Sequence, residues 1–202
     1  MKKDEKTKAG VLDFLGAFFI SLWVIAVVTS YTWRSTQIFW MCYITLFLIG
    51  FGIIRRDGSL IASQLSIIVI PFIIWNIDFF SNLLTGNSIW GMTSYFFSRD
   101  FPIVSKFVTL QHLFTIPLAV IALWLIKLKR KDYWKISVLQ AILVFLTSFI
   151  FATSLNNINC VYESCAIPTF ITPYFIQWFV IMFAMILITS IIINTLSFLH
   201  KK

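Results

Sequence analysis

One predicted helix carries hydroxyl and imidazole side chains along a single face. Ser105, Thr109 and His112 recur at positions i, i+4 and i+7, and Thr115 follows one turn later. Residues at this spacing lie on the same side of an α-helix. Imidazole has the ordinary pKa best suited to proton transfer near neutral pH, so His112 is a candidate general base, proton relay or metal ligand. The alternative is a neutral imidazole that links two helices.

His112 is about seven residues into its predicted helix, which at 1.5 Å per residue places it roughly 10 Å below the outer membrane surface. Other polar side chains are predicted at the same end of the molecule. Ionisable groups at such depth are costly and usually face a cavity or a partner. For Asp78, near the end of its apolar run, capping or reaching towards the interface is the alternative role. The catalytic candidates are His112, Thr36 and Asp78, and the binding candidates are Asn76, Asn82, Thr109, Asn159 and Gln177.

Two of the three cysteines, Cys160 and Cys165, share one short polar segment between apolar runs. On an oxidising face of a membrane they are expected to form a disulfide. The alternative is a membrane thiol oxidoreductase. That chemistry normally relays electrons through two cysteine pairs, whereas the remaining cysteine, Cys42, falls inside an apolar run.

The sequence holds no dinucleotide fingerprint, P-loop, zinc-spaced cluster of histidine and cysteine, or nucleophile elbow. The two histidines, His112 and His200, are too few to hold haem or zinc. We therefore expect no cofactor and no metal.

The elements that must position these residues are membrane helices. The chain has 202 residues, of which 59% are hydrophobic and 12% charged, and its mean hydropathy is +0.91. A soluble core of this size could not bury so much apolar surface. Because lipid offers backbone amides no partner, we predict an all-α bundle of six transmembrane helices in a single domain over residues 1–202. The predicted spans are 11–31, 37–54, 60–81, 105–126, 134–154 and 174–198.

Positive charge is distributed unevenly along the chain. All but three of the 16 lysines and arginines lie in the tails or in and beside alternate gaps between the spans, the exceptions being Arg34, Arg99 and Lys106. Basic loops resist translocation, which predicts that both termini are cytoplasmic. We expect the membrane to be a bacterial inner membrane, with a membrane of the secretory pathway as the alternative. The net charge of +8 is expected to meet anionic lipid headgroups rather than nucleic acid.

The first apolar run admits a second interpretation, since Lys2 and Lys3 precede it and Val28-Thr29-Ser30 closes it, as in a signal peptide. The run from Val11 to Tyr31 is longer than a usual signal core, so we expect a retained helix.

Two resemblances follow from particular residues. The stretch from Gln111 to Pro117, a His-x-x-x-x-Pro pattern, and the Trp33-Arg34 pair resemble the androgen-induced family of six-span membrane hydrolases. That resemblance implies an embedded catalytic histidine at His112 and a hydroxyl nucleophile near Ser35 or Thr36. The chain is also similar to uncharacterised bacterial six-span integral membrane proteins, a likeness that implies topology. Its residues are Asp78, Tyr95-Phe96-Phe97, Pro102, His112 with Pro117, Asp132 and Asn157-Ile158-Asn159.

Three functions remain open at this level. The first is an intramembrane lipid-processing hydrolase or acyltransferase, with His112 as base, Thr36 or Ser35 as nucleophile, and Asp78 or Asn159 orienting or stabilising charge. The second is a small solute carrier or a subunit of a transport complex. The third is a non-catalytic interaction protein whose polar residues join helices, within a homo-oligomer or a larger membrane complex.

Overall fold

The computed structural model describes the backbone of residues 3–32 and 36–200, and most of this part of the chain is helical. Its α-helices are α1 Lys3–Thr32, α2 Met41–Ile54, α3 Gly58–Thr85, α4 Ser94–Phe97, α5 Ile103–Thr109, α6 Gln111–Ile126, α7 Trp134–Phe151 and α8 Tyr174–Thr195. Short 3₁₀ helices cover Thr36–Phe39, Ile158–Cys160 and Ser197–Leu199.

Five helical segments are long and apolar enough to cross a membrane, which identifies a helical membrane protein. They are α1, α3, the nearly continuous α5 and α6, α7 and α8. The predicted span 37–54 is instead a 3₁₀ turn followed by the 14 residues of α2. At 1.5 Å per residue α2 is about 21 Å long, less than the ~30 Å hydrocarbon layer.

The helices define two ends of the bundle. The loops 55–57 and 127–133 lie at one end, called here the basic end. Residues 36–40 and the loops 86–102 and 152–173 lie at the opposite end, which is called here the disulfide end.

Helix α3 lies at the centre, where it packs on α2, α6, α7 and α8. The Asp57 carboxylate starts it by accepting hydrogen bonds from the backbone N–H groups of Ser59 and Leu60, at 2.9 and 3.2 Å. Gly86 ends it in the left-handed conformation, with φ of 72°. Because α3 touches so many neighbours, residues along it can contact most of the bundle.

Buried polar contacts join α3 to α7 and α8 towards the basic end. They are Gln64 Nε2 to Gln140 Oε1 at 2.7 Å, Ser137 Oγ to the Ser63 carbonyl at 2.9 Å, and Ser190 Oγ to Ser66 Oγ at 3.1 Å. Small residues and side-chain hydrogen bonds of this kind hold membrane helices together. Serine and glutamine side chains therefore hold the basic half of the bundle together.

Gly58 permits the closest backbone approach at the basic end. A Cβ atom placed there would lie 2.5 Å from the Lys127 carbonyl oxygen, which is backbone and cannot rotate away. Gly58→Ala is therefore expected to destabilise the protein by about 1–3 kcal/mol, the usual cost of overpacking. Thermal unfolding in detergent measures this loss. The control is Gly10→Ala, where nothing lies within 4 Å of the added methyl group; equal melting temperatures for the two variants would contradict the prediction.

Candidate functional site

A cavity of about 230 Å³ lies towards the disulfide end, between α3, α8, the start of α2 and the loop 152–173. Its walls are mostly apolar. Phe72 and Trp75 come from α3, Trp178 from α8 and Trp40 from the residue before α2, and α6 contributes His112. An apolar concave surface with one convergent polar group is the usual form of a small-molecule site.

The imidazole of His112 packs against two aromatic rings of α3. Its centroid is 4.4 Å from that of Trp75, with the planes 20° apart, and 4.3 Å from that of Phe72, with the planes 47° apart. Trp75 therefore stacks on the imidazole and Phe72 meets it at a tilt, which holds the ring in place beside the cavity.

The tautomer of His112 follows from its hydrogen bond. Nδ1 lies 2.7 Å from the Thr109 carbonyl oxygen, which can only accept, so Nδ1 carries the proton and donates. A neutral imidazole then has its lone pair on Nε2. The Gln111 amide nitrogen lies almost equally far from both ring nitrogens, at 3.3 and 3.4 Å, so it is not directed along the Nε2 lone pair. His112 therefore presents Nε2 as an acceptor.

A break between α5 and α6 makes the Thr109 carbonyl available. The Leu113 N–H bonds the Leu110 carbonyl at 3.0 Å in a tight turn instead of reaching back to Thr109. The released carbonyl is the one that His112 binds. Asn76 of α3 adds a hydrogen bond from Nδ2 to the His112 carbonyl at 3.0 Å, which ties the two helices together beside the cavity.

Gln111 and Thr115 form a layer behind His112. Both are fully buried, and Thr115 Oγ1 donates to Gln111 Oε1 at 2.8 Å. This bond fixes the orientation of the Gln111 amide, which in turn lies against the imidazole. The sequence pattern placed Thr115 on the stripe of His112 but gave no sign of Gln111.

Asp78 is fully buried and holds the loop that follows α3. Its Oδ2 accepts from Ser88 Oγ at 2.6 Å, and from the Thr93 N–H and Oγ1 at 2.8 Å each. Its Oδ1 accepts from the Trp90 N–H at 2.7 Å. The carboxylate is thus saturated by residues of the loop 86–102, which is a structural use of an acceptor-only side chain.

Asn159 joins three segments beside the cavity. Its Oδ1 accepts from the Met41 N–H at 2.8 Å, and its Nδ2 donates at 2.8 Å to both the Phe39 carbonyl and Ser148 Oγ. Its own carbonyl accepts from Trp178 Nε1 at 2.9 Å. The side chain therefore fixes the start of α2 against α7.

The loop that carries Asn159 contains a disulfide between Cys160 and Cys165, whose Cα atoms are 5.8 Å apart. Both cysteines line the cavity. Asn157, Asn159 and Cys160 have positive φ values of 36°, 55° and 55°. Asparagine tolerates this region, whereas cysteine rarely adopts it, so the loop holds Cys160 in a constrained conformation.

The remaining candidates lie elsewhere. Gln177 is buried and secures the loop 152–173, accepting from the Phe170 and Ile171 N–H groups at 2.7 and 3.0 Å. Asn82 accepts the Gly86 N–H through its carbonyl at 2.9 Å, which closes α3. Ser35 and the side chain of Thr36 lie outside the described residues. The structure thus brings together His112, Thr109, Asn76 and, across the cavity, Asn159.

Comparisons with family models, curated proteins and solved structures find no match to this chain. Fold and site together define its class, a helical membrane protein with an apolar cavity and an oriented histidine at the edge of that cavity. Among the aromatic walls, Trp75 was placed from the sequence on the helical stripe of Asp78, whereas Phe72 and Trp178 were not singled out. Aromatic residues are frequent in this chain, with 22 phenylalanines and 8 tryptophans, so composition gave no signal for these particular rings.

Proposed function

We propose that this protein binds a small, membrane-soluble molecule in the cavity, and that His112 Nε2 accepts a hydrogen bond from that molecule. The observation that carries the proposal is the oriented imidazole. Thr109 fixes the tautomer, and the rings of Phe72 and Trp75 pack against the imidazole. Binding energy would come from apolar contact, and selectivity from one hydroxyl or N–H group.

The size of the cavity supports a compact ligand. An apolar protein cavity of about 150 Å³ is enough to take up benzene. A cavity of about 230 Å³ therefore suits one substituted ring or a short length of chain, with any longer tail lying in lipid. A free ion is a poor candidate, because burying an unpaired charge among these walls is costly.

The orientation in the membrane belongs to the same proposal. With six crossings and both termini cytoplasmic, in a bacterial inner membrane, the cavity opens in the outer half of the bilayer. Exposed Lys129, Arg130 and Lys131 at the basic end would then meet anionic headgroups. The asymmetric distribution of lysine and arginine supports this orientation.

The test compares two probes that differ in one hydrogen-bond donor. Purified protein in detergent is titrated with a long-chain alkylphenol and with its methyl ether, and binding is followed by quenching of tryptophan fluorescence. The phenol is expected to bind about tenfold more tightly, the value of one hydrogen bond to a buried acceptor. His112→Phe should remove that preference while keeping apolar contact.

The matched control is His200→Phe, which changes the other histidine. It should leave the tenfold preference unchanged. Equal binding of phenol and ether by the unaltered protein, or loss of the preference in the control alone, would contradict the role of His112.

Lipid hydrolysis or acyl transfer is the second candidate, and the same hydrogen bond favours it. A histidine whose Nδ1 is held by a fixed acceptor presents Nε2 as a general base. Asp78 does not supply the fixed acceptor, since the Thr109 carbonyl does. A lipid product that disappears in cells making either His112→Ala or Thr36→Ala, while the phenol still binds the Thr36 variant, would favour this candidate.

A further inference from the structure

The cavity collects nearly all the sulfur in the protein. All three cysteines line it, as do four of the five methionines. The free thiol of Cys42 and the Cys160–Cys165 disulfide thus face one apolar space. Methionine lines sites that adapt to apolar ligands and packs well against aromatic rings. A disulfide on the wall of such a cavity adds a reactive group that a simple binding site does not need.

We propose that the ligand of this cavity is a lipid-soluble quinone and its hydroquinone, and that the Cys160–Cys165 pair exchanges two electrons with it. This inference rests on the proposed function and deepens it by naming the ligand class and a reaction. A single quinone ring is planar, apolar and of the size that the cavity admits.

The walls of the cavity suit a planar ring. Trp40, Trp75 and Trp178 line it, and the Trp75 ring also stacks with Phe79 and His112. Aromatic rings prefer offset stacking or edge-to-face contact with other flat rings, which adds to the apolar gain from burial. The alkyl tail of a membrane quinone would continue into lipid.

His112 distinguishes the two redox states of such a ring. Nε2 has a lone pair and no proton, because Nδ1 donates to Thr109. A hydroquinone has an O–H group that can donate a hydrogen bond to Nε2, whereas a quinone has only carbonyl oxygens, which cannot donate. The site therefore stabilises the hydroquinone, which is the product when the quinone takes up electrons.

Asn157 is positioned to stabilise the reduced form of the cysteine pair. Its Nδ2 donates to the Glu163 carbonyl at 2.9 Å and lies 3.8 Å from Cys165 Sγ, a long contact that is still within reach of sulfur. The Asn157 Oδ1 is held by the Tyr162 N–H at 3.0 Å, so the amide cannot turn away. After reduction of the disulfide the same amide group stabilises a thiolate on Cys165, and the thiolate is the reactive form.

The reaction balances without any other oxidant. The Cys165 thiolate adds to a ring carbon of a fully substituted quinone, so a C–S bond forms and one carbonyl oxygen takes a proton as an enol. The Cys160 thiolate then attacks the Cys165 sulfur, which forms the S–S bond and breaks the C–S bond. The electron pair of the broken bond restores the ring double bond and shifts onto the second carbonyl oxygen, which takes a proton, so the ring becomes hydroquinone. A dithiol outside the membrane would reduce the disulfide again by thiol–disulfide exchange.

The experiment starts from the full chain in detergent, reduced with dithiothreitol and desalted. A fully substituted benzoquinone with a long alkyl tail is added, hydroquinone is measured by ultraviolet absorbance, and free thiols are counted by alkylation and mass spectrometry. One quinone should be reduced per chain while two thiols are lost, at a rate that saturates with quinone. Cys160→Ser and Cys165→Ser should abolish the reaction, and His112→Phe should weaken hydroquinone binding about tenfold.

Cys42→Ser separates the third thiol from the pair, since Cys42 lines the same cavity but lies outside the disulfide. Whatever its rate, this variant should still lose two thiols for each quinone reduced. Loss of fewer than two thiols per quinone in this variant, or a rate that never saturates in the unaltered protein, would overturn the assignment to Cys160 and Cys165. Tryptophan quenching by the quinone without any thiol loss would reject the redox step and leave the proposed binding function standing. No quenching by quinone, alkylphenol or methyl ether would reject both.

Discussion

Asp78→Ala is expected to destabilise the protein by roughly 3–5 kcal/mol and to release the loop after α3. The carboxylate accepts four hydrogen bonds, from Ser88, Trp90 and twice from Thr93. Each buried donor left without a partner costs about 1–3 kcal/mol, and water entering the loop recovers part of the sum. Thermal unfolding in detergent measures the loss, and protease cleavage within residues 86–93 reports release of the loop.

The stability of Asp78→Asn should lie between that of Asp78→Ala and that of the unaltered protein. An amide can place its oxygen where Oδ2 accepts three bonds, but its NH₂ group then faces the Trp90 N–H, donor against donor. The matched control is Asp100→Ala in the same loop, where the residue is exposed and a change within about 0.5 kcal/mol is expected. If Asp78→Ala and Asp100→Ala have the same melting temperature and the loop of the Asp78 variant resists protease, the proposed role of Asp78 in anchoring the loop is wrong.

The helices were largely predictable because lipid removes alternatives. An apolar run of about 20 residues has to satisfy its amides internally, so 60–81, 134–154 and 174–198 became α3, α7 and α8 with small changes at their ends. The run 37–54 did not give one long helix: its first residues form a 3₁₀ turn, and Asn159 binds the N–H of Met41, where α2 begins. That contact is 118 residues distant in sequence and invisible to periodicity.

The same limit applies to the site. The helical stripe correctly placed Thr109 beside His112, but it predicted a continuous helix there. The break at Leu110 turns the Thr109 carbonyl into the partner of the imidazole, and a backbone group cannot be identified from side-chain spacing. Likewise, helix position placed Asp78 near His112 in depth, whereas its hydrogen bonds go to a loop that folds back over it. The depth of a residue along a helix does not determine which neighbouring segment its side chain faces.

Reporter fusions are expected to place the carboxyl terminus in the cytoplasm and residue 156 outside it. A reporter active only outside the cytoplasm should give no signal after Lys202 and a full signal after Asn156. The physical reason is the cost of translocating the basic loop 127–133 and its neighbours, which favours the side where they are made. A reporter active only in the cytoplasm should give the complementary pattern at both positions.

The decisive pair of fusions flanks α2, because an even number of crossings requires this short helix to cross. Its amino end is bound to Asn159 at the disulfide end, at 2.8 Å. Beyond its carboxyl end, Arg56 bonds the Asp13 carboxylate of α1 at 2.6 Å, at the basic end. Since α2 runs from one end of the bundle to the other, fusions after Arg34 and after Arg56 should report opposite sides. Equal signals from these two fusions would mean that α2 does not cross the membrane. The two termini would then lie on opposite sides, and the argument that places the Cys160–Cys165 pair on the oxidising face would be lost.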